Sequence, residues 1–293
     1  MNKIIVVTGP TGIGKTKLSI ALAKHFNGEI INADSMQVYK ELNIGTAKIK
    51  EPEKEGIKHH LISIRGIEES YNVYEYQKEG RKIIDKIIKS GKTPIVVGGT
   101  GLYIKALLYD YQFKEEIKQS DYSELTNEEL LSKVKMVNPD VNIDFHNRKR
   151  LVRLLNKYEN NIIENNNKNK LLYDAIFIGL TTDRKTLYER INNRVDEMIK
   201  LGLLEEVKEL YNKKVRNRVI ETAIGYKELY QYFDGAINLE DSIDLIKKNS
   251  RHYAKRQYTW FKHQMKLKWF WVDFNNFDNT KQEVMNYLEK VIK

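Results

Sequence analysis

Residues 9–16 read Gly9-Pro10-Thr11-Gly12-Ile13-Gly14-Lys15-Thr16, a complete G-x-x-x-x-G-K-[ST] phosphate loop. No other stretch restricts the folding of this chain as much, because the motif works only between the end of a strand and the start of a helix. Both flanks comply. The β-branched run Ile4–Val7 leads into the loop, and Lys15–Phe26 places Leu18, Ala21, Leu22 and His25 at helical spacing. Glycine lets successive backbone N–H groups converge on phosphate oxygens, and the helix N-terminus adds partial positive charge. Lys15 brings a full charge to the terminal phosphate, and Thr16 brings an oxygen ligand for Mg²⁺. The segment is expected to bind a polyphosphate.

The same alternation continues downstream. Strand signals at Glu29–Ala33 and Thr93–Val97 enclose an amphipathic helix over Tyr74–Ser90, with Ile83, Ile84, Ile87 and Ile88 on its apolar side. Strands alternating with helices imply right-handed crossovers, a parallel sheet, and ligands at the carboxyl ends of its strands. Between about 112 and 170 strand signals fade, charge runs accumulate, and Glu159–Lys170 carries asparagines at 160, 161, 165, 166, 167 and 169. This stretch reads as a helical insertion closed by a flexible loop. Tyr173–Leu180 restores the strand pattern, helices follow at about 184–211 and 240–265, and Trp269–Phe274 reads as a last strand. The expected fold is therefore α/β. A P-loop, nucleotide-kinase-like parallel sheet flanked by helices is built from residues 1–111 and 171–293, and residues 112–170 form a small helical insertion domain.

Composition excludes several chemistries. The 293 residues contain no cysteine, which removes disulfides, thiolate metal sites and a cysteine nucleophile and fits a reducing compartment. No apolar run approaches the ~20 residues of a membrane span, and the N-terminal apolar run is too short for a signal peptide. A cytoplasmic monomer with no membrane contact is expected. Lysine and arginine exceed the acids by 50 − 40, a net charge of +10. That balance suits a polyanionic partner such as RNA, and equally a lysine-rich genome.

The loop alone does not name its ligand. Nucleotide hydrolases carry an Asp at the end of a later strand to position Mg²⁺. Here the strand over Thr93–Val97 runs instead into Gly98-Gly99-Thr100-Gly101, and no Asn-Lys-x-Asp guanine reader exists. The acid at a strand end near the loop is Asp34, after Ile30-Ile31-Asn32-Ala33. A transferase using Asp34 fits better than a switch GTPase, although an Asp-Ser pair is also a common helix cap.

Further segments accompany Asp34-Ser35-Met36-Gln37-Val38-Tyr39. They are His59-His60-Leu61, Gly98-Gly99-Thr100-Gly101-Leu102-Tyr103, Arg190 and Arg194 beside Leu187, Ile191, Val195 and Met198, Ile224-Gly225-Tyr226, and Lys255-Arg256-Gln257-Tyr258-Thr259-Trp260-Phe261-Lys262. In this order, and over nearly the whole chain, the set resembles the bacterial tRNA dimethylallyltransferases. The resemblance implies transfer of a dimethylallyl group from its diphosphate to N6 of adenosine 37 beside the tRNA anticodon. Residues Gly9 to Thr16 would then hold the donor diphosphate, with Mg²⁺ at Thr16. It further implies Asp34 as general base, Arg194 and Thr11 as contacts to the diphosphate, and Thr100 beside the base. The tRNA contacts it implies are Asp34, Ser35, Met36, Gln37 and Thr100, then Lys149, Arg150 and Arg153, then Gly225, Tyr226 and Lys227, and finally Lys255, Arg256, Gln257, Tyr258 and Lys262. The acceptor base must leave its stack to reach the donor.

Other features have plainer readings. Adjacent histidines on a strand point to opposite faces, so His59 and His60 are expected to be structural. Trp260, Phe261, Trp269 and Trp271 are expected in the core. The insertion is shorter and more polar than in the family, and Thr222 stands where some relatives carry arginine, so the RNA clamp is the part of the resemblance that departs most. A small-molecule or nucleoside kinase, prenylation of a free nucleotide, and a nucleotide-switched RNA-binding module remain as competing functions.

Overall fold

The computed structural model describes residues 3–113, 120–141, 143–144, 146–160 and 170–292. The chain divides into two compact units, Met1–Tyr109 with Leu171–Lys293, and Asp110–Lys170. Tyr109 forms an antiparallel bridge with Leu171, so the chain leaves and re-enters the larger unit at one point. This pairing puts the boundary two residues earlier than the expected 112.

The larger unit holds strands β1 (Ile4–Thr8), β2 (Gly28–Asn32), β3 (His59–His60), β4 (Thr93–Gly98), β5 (Ala175–Thr181) and β6 (Lys268–Trp271). They form one sheet in the order β3-β2-β4-β1-β5-β6, with every pairing parallel. From β1 the chain winds outward to β2 and β3 and returns to β4. It then crosses to the other side for β5 and β6, so the loop after β1 lies at the switch point, where ligands of open α/β sheets bind. Successive residues of β1 enter different cores: Ile4 and Val6 pack on one face, Ile5 and Val7 on the other. A strand covered on both faces needs no polar alternation, which is why these strands read as continuous apolar runs.

Helices α1 (Lys15–His25), α2 (Val73–Lys89) and α3 (Gly101–Leu108) follow β1, β3 and β4. The α2 start is written locally: Asn72 accepts the amides of Tyr74 and Glu75, and Glu75 accepts the Asn72 amide. After β5 come α6 (Arg184–Lys200), α7 (Leu203–Asn212), α8 (Arg218–Thr222), α9 (Tyr226–Phe233), α10 (Leu239–Gln264) and, beyond β6, α11 (Phe277–Ile292). The single helix expected over 184–211 is two, because Gly202 adopts φ 99° and ends one axis before the next begins. The last strand is shorter than Trp269–Phe274, and Trp271 is 58% exposed rather than in the core. Phe270 packs in one core and Trp269 against the other, and Trp271, at the end of this edge strand, extends past the covered part of its face.

The smaller unit contains α4 (Asn127–Val137) and α5 (Arg148–Glu159), packed through Leu130, Val134, Leu151 and Leu155. Most of the asparagine-rich stretch read as a flexible loop, residues 161–169, lies outside the described residues. Among the described residues, no helix is long and apolar enough to cross a membrane.

Candidate functional site

The phosphate loop is built by glycine where the backbone requires it. Gly9 has φ 143°, and a Cβ there would lie 2.7 Å from the carbonyl oxygen of Leu180 on β5. Gly14 takes φ 99° at the N-cap of α1, turning the first amides of that helix toward the loop interior. Lys15 folds back, its ammonium donating to the carbonyls of Gly9 at 3.0 Å and Pro10 at 2.8 Å. Burial lowers the Lys15 pKa to about 7, with Asp34 pulling it up and Arg194 pushing it further down.

Asp34 follows β2 and is fixed from several sides. Its Oδ1 accepts the Met36 amide at 2.9 Å, and its own amide donates to Asn32 Oδ1 at 3.2 Å. Asn32, buried below it, donates to the carbonyls of Asp34 and Leu61. The neighbouring turn is braced by Thr100, whose hydroxyl accepts the Ser35 amide at 3.1 Å. Gly98 lets β4 approach so closely that a Cβ there would collide with the Ala33 carbonyl. The two turns at the ends of β2 and β4 are thereby locked together, with Asp34 at their edge.

Arg194 reaches this junction from α6, its Nη1 donating to the Thr11 hydroxyl at 3.4 Å. Burial lowers its pKa and Asp34 acts against that, so Arg194, Lys15 and Asp34 feel one another's charge. Arg190, one turn earlier, points its Nε at the Gly12 carbonyl and stacks on Phe274, 3.9 Å from the ring centre.

Helix α10 supplies residues that local sequence patterns do not reveal. Gln257 was expected to contact RNA, yet it is 5% exposed. Its Oε1 accepts the Thr11 amide at 2.9 Å and its Nε2 donates to the Gly99 carbonyl at 3.0 Å, so it ties the phosphate loop to the turn after β4. Tyr253, one turn away, hydrogen-bonds Thr100 and Gln257, and burial with the nearby Asp34 charge pushes its phenol pKa up. No motif in the sequence marks Tyr253. The available signal was its spacing of three and four residues from Arg256 and Gln257.

Two cavities meet at these residues. A cleft of about 470 Å³ is lined by the loop from Thr11 to Lys17 together with Gln37, Gly99, Arg190 and Glu197. A chamber of about 250 Å³ is lined by Met36, Ile191, Val195, Met198, Ile246 and Tyr253. Thr11, Asp34, Thr46 and Arg194 line both. The cleft is thus polar and cationic, the chamber mixed, with an apolar side of Met36, Ile191, Val195, Met198 and Ile246 facing Ser35, Lys227, Ser250 and Arg256, and the carboxylate sits at their boundary. A wider opening of about 1070 Å³, lined by Thr16, Lys17, Lys48 and Arg194 among others, adjoins the outer side of the cleft.

Thr16 borders the cleft where a diphosphate-bound cation would sit. Among the described residues, no group of three or more His, Cys, Asp or Glu is placed to hold a metal ion. A hydroxyl beside a phosphate cradle fits Mg²⁺, which keeps most of its ligands as water and phosphate oxygen.

The remaining expected residues lie in different places. Ser35, Met36 and Gln37 are partly buried beside Asp34, and Ser35 and Met36 line the chamber. Lys255, Arg256, Tyr258 and Lys262 are exposed on α10, and Arg256 also borders the chamber. Gly225 and Lys227 line the chamber, but Tyr226 is fully buried and its hydroxyl donates to Glu206, so its side chain is not on an RNA-facing surface. Lys149, Arg150 and Arg153 are exposed on α5 of the smaller unit. His60 pairs with buried Glu29, which also holds Lys92. His59 donates from Nδ1 to the Ile57 carbonyl and lines the cleft.

A family model described as IPP transferase matches residues 37–264. The tRNA dimethylallyltransferase of Anoxybacillus flavithermus is 47% identical, over 98% of this chain and 96% of that protein. The tRNA dimethylallyltransferase of Geobacillus kaustophilus is 45% identical, again over 98% and 96%. Among solved structures, the tRNA isopentenylpyrophosphate transferase of Bacillus halodurans superposes with a TM-score of 0.79 at 38% identity, covering 99% of this chain and 96% of that one. A eukaryotic dimethylallyltransferase acting on tRNA superposes with a TM-score of 0.87 at 31% identity, covering 99% and 79%.

Proposed function

The chain belongs to the IPP transferase family, the tRNA dimethylallyltransferases, and from that premise we propose how its own residues carry out prenyl transfer to tRNA. The donor is dimethylallyl diphosphate and the acceptor is N6 of adenosine 37, beside the anticodon. The observation that carries this reading is the meeting of a cationic cleft with a chamber that has an apolar side, at Asp34, Thr11, Thr46 and Arg194.

In this reading the diphosphate lies in the cleft, held by the loop amides, Lys15 and Arg190, and approaches through the opening beside Lys17 and Lys48. Breakage of the allylic C–O bond leaves cationic character on carbon and negative charge on the departing diphosphate. Lys15, Arg194 and the Thr11 hydroxyl are aimed where that negative charge grows, the placement from which electrostatic catalysis gains most. Mg²⁺ held by the diphosphate and Thr16 would supply further charge neutralisation at the same oxygens.

The adenine enters the chamber from the side of Met36, Gly225 and Arg256. Its N6 lone pair is delocalised into the ring, so the amine is a weak nucleophile until its proton is being removed. Asp34 accepts that hydrogen, first orienting the amine and then taking the proton as the C–N bond forms. The Thr100 brace and the Met36 amide hold Asp34 in place for this. The apolar side of the chamber keeps water from the cationic carbon. Exposed Lys255, Arg256, Tyr258 and Lys262, with Lys149, Arg150 and Arg153, hold the RNA backbone. The enzyme works as a cytoplasmic monomer.

Incubation with undermodified tRNA and labelled dimethylallyl diphosphate, followed by mass analysis of the nucleosides, tests the assignment. N6-dimethylallyladenosine confined to the position beside the anticodon is expected. Label in phosphate transfer products, or in a free nucleotide alone, would overturn it.

A further inference from the structure

The turn Asn43–Ala47 forms the wall common to all three cavities. Asn43 and Ile44 face the outer opening, Gly45 the chamber, Thr46 both chamber and cleft, and Ala47 both cleft and opening. Part of the turn is held locally, by the Thr46 hydroxyl on the Leu42 carbonyl at 2.8 Å and by Gln37 Nε2 on the Thr46 carbonyl at 3.0 Å. The backbone makes a tight turn closed by Ala47 N–H to Ile44 O and Lys48 N–H to Asn43 O, both 2.9 Å. Ala47 pays for that closure with φ 45°, a left-handed conformation costly for a residue with a Cβ. At the other end, the Asn43, Ile44 and Gly45 amides have no acceptor within the turn and point at one side chain, Glu206 of α7. Glu206 Oε2 accepts the Asn43 amide at 3.2 Å and the Ile44 amide at 2.9 Å, while Oε1 takes Ile44 at 3.1 Å and Gly45 at 3.3 Å. The same Oε1 accepts the hydroxyl of fully buried Tyr226. The Tyr226 ring packs so closely on Gly45 that a Cβ there would collide with it.

We propose that Glu206 is a positioning residue: clamped by Tyr226, its carboxylate holds the turn Asn43–Ala47 as the wall between the diphosphate cleft and the acceptor chamber, so that the prenyl group passes to the nucleotide and not to water. The proposal rests on the functional reading above. When the wall loosens, water reaches the allylic carbon. Its oxygen bonds to C1 as the bond from C1 to the diphosphate oxygen breaks. The diphosphate leaves with the electron pair, and the proton of the attacking water goes to solvent. The product is a five-carbon alcohol, and the donor is spent without modifying tRNA.

The test compares Glu206→Ala and Tyr226→Phe with the wild-type chain, counting prenylated tRNA formed per diphosphate released. The wild-type ratio is expected near one. Loss of a charged acceptor for several amides should lower it about fivefold to tenfold in Glu206→Ala, and loss of one hydrogen bond about twofold to threefold in Tyr226→Phe. A purely structural role would slow both products together and leave the ratio unchanged, and that result overturns the proposal. Tyr226→Phe keeps the ring in the core, so an unchanged ratio there is decisive even if Glu206→Ala fails to fold. If the wild-type chain releases no prenylated tRNA at all, the functional reading fails and not the clamp.

Discussion

Donor binding should draw a proton out of solution, and Lys15 fixes how much and at what pH. Burial holds the Lys15 pKa at about 7 in the free protein, so at pH 8 the amine carries only about 0.1 of a proton. A diphosphate oxygen arriving at ~4 Å, in an environment with an effective dielectric of ~20, favours the ammonium by about 4 kcal/mol, or roughly three pKa units. The bound-state pKa is then about 10, so Lys15 takes up about 0.9 proton on binding at pH 8, whereas at pH 6, where the free amine is already charged, its own share is about 0.1. The sign follows from linkage: the bound state holds more protons between the two pKa values, so donor affinity falls as pH rises from 7 toward 10.

Calorimetry of dimethylallyl diphosphate binding without tRNA, in two buffers of different ionisation enthalpy, measures this uptake directly. The ester's own last proton, with a pKa of about 6, is almost entirely off at pH 8 and does not mask it. Lys15→Arg is the control, because a guanidinium remains charged throughout and its uptake at pH 8 should be close to zero. Uptake near zero in the wild-type protein at pH 8, or equal uptake in both proteins, would refute the placement of a buried, mostly neutral Lys15 against the diphosphate.

Three further outcomes follow from the site. Asp34→Asn should lower kcat by about 10²–10⁴ as general base catalysis is lost, with tRNA affinity in filter binding nearly unchanged; equal losses in both would make Asp34 an RNA contact and not a base. Gln257→Leu leaves the Thr11 amide and Gly99 carbonyl without partners, which should cost about 2–6 kcal/mol in urea unfolding at about 1–3 kcal/mol per buried group; a large loss of tRNA affinity with full stability would return Gln257 to the RNA face. Lys255→Ala and Arg256→Ala should each weaken tRNA binding and reduce the salt slope by about one, and an unchanged slope would remove α10 from the interface.

The sheet was legible because its strands are buried on both faces and its first helix starts at a motif that permits only one local geometry. Continuous runs such as Ile4–Val7 state burial without needing neighbours. Errors came where tertiary context overrode a run. The pattern over 184–211 is apolar-periodic throughout, and only the left-handed conformation of Gly202 shows that the axis turns there. Trp271 carries the same hydrophobic signature as Phe270, but it is the last residue of the edge strand β6: Trp269, on the same face, packs against the core, and the covering stops before Trp271.

The site divides along the same line. Lys15, Thr16, Asp34 and Thr100 sit at strand ends, where a parallel sheet gathers its loops, so their convergence follows from the order of strands and turns. Tyr253 and Glu206 lie on helices with no glycine, cap or motif to distinguish them from ordinary polar positions, and Gln257 stands in the Lys255–Lys262 run with nothing to separate it from the exposed residues beside it. Their roles depend on which backbone groups face them: the Thr11 amide and Gly99 carbonyl for Gln257, and the Asn43–Gly45 amides for Glu206. Such groups are spent by any regular element and free only where the chain turns. A turn that must stay open toward a ligand cannot satisfy its backbone from within, so the partner has to come from elsewhere in the fold. A basic and aromatic run such as 255–262 therefore combines two tasks that its composition cannot separate. Lys255, Arg256 and Lys262 are exposed to solvent, the side proposed for RNA, while buried Gln257 holds the phosphate loop.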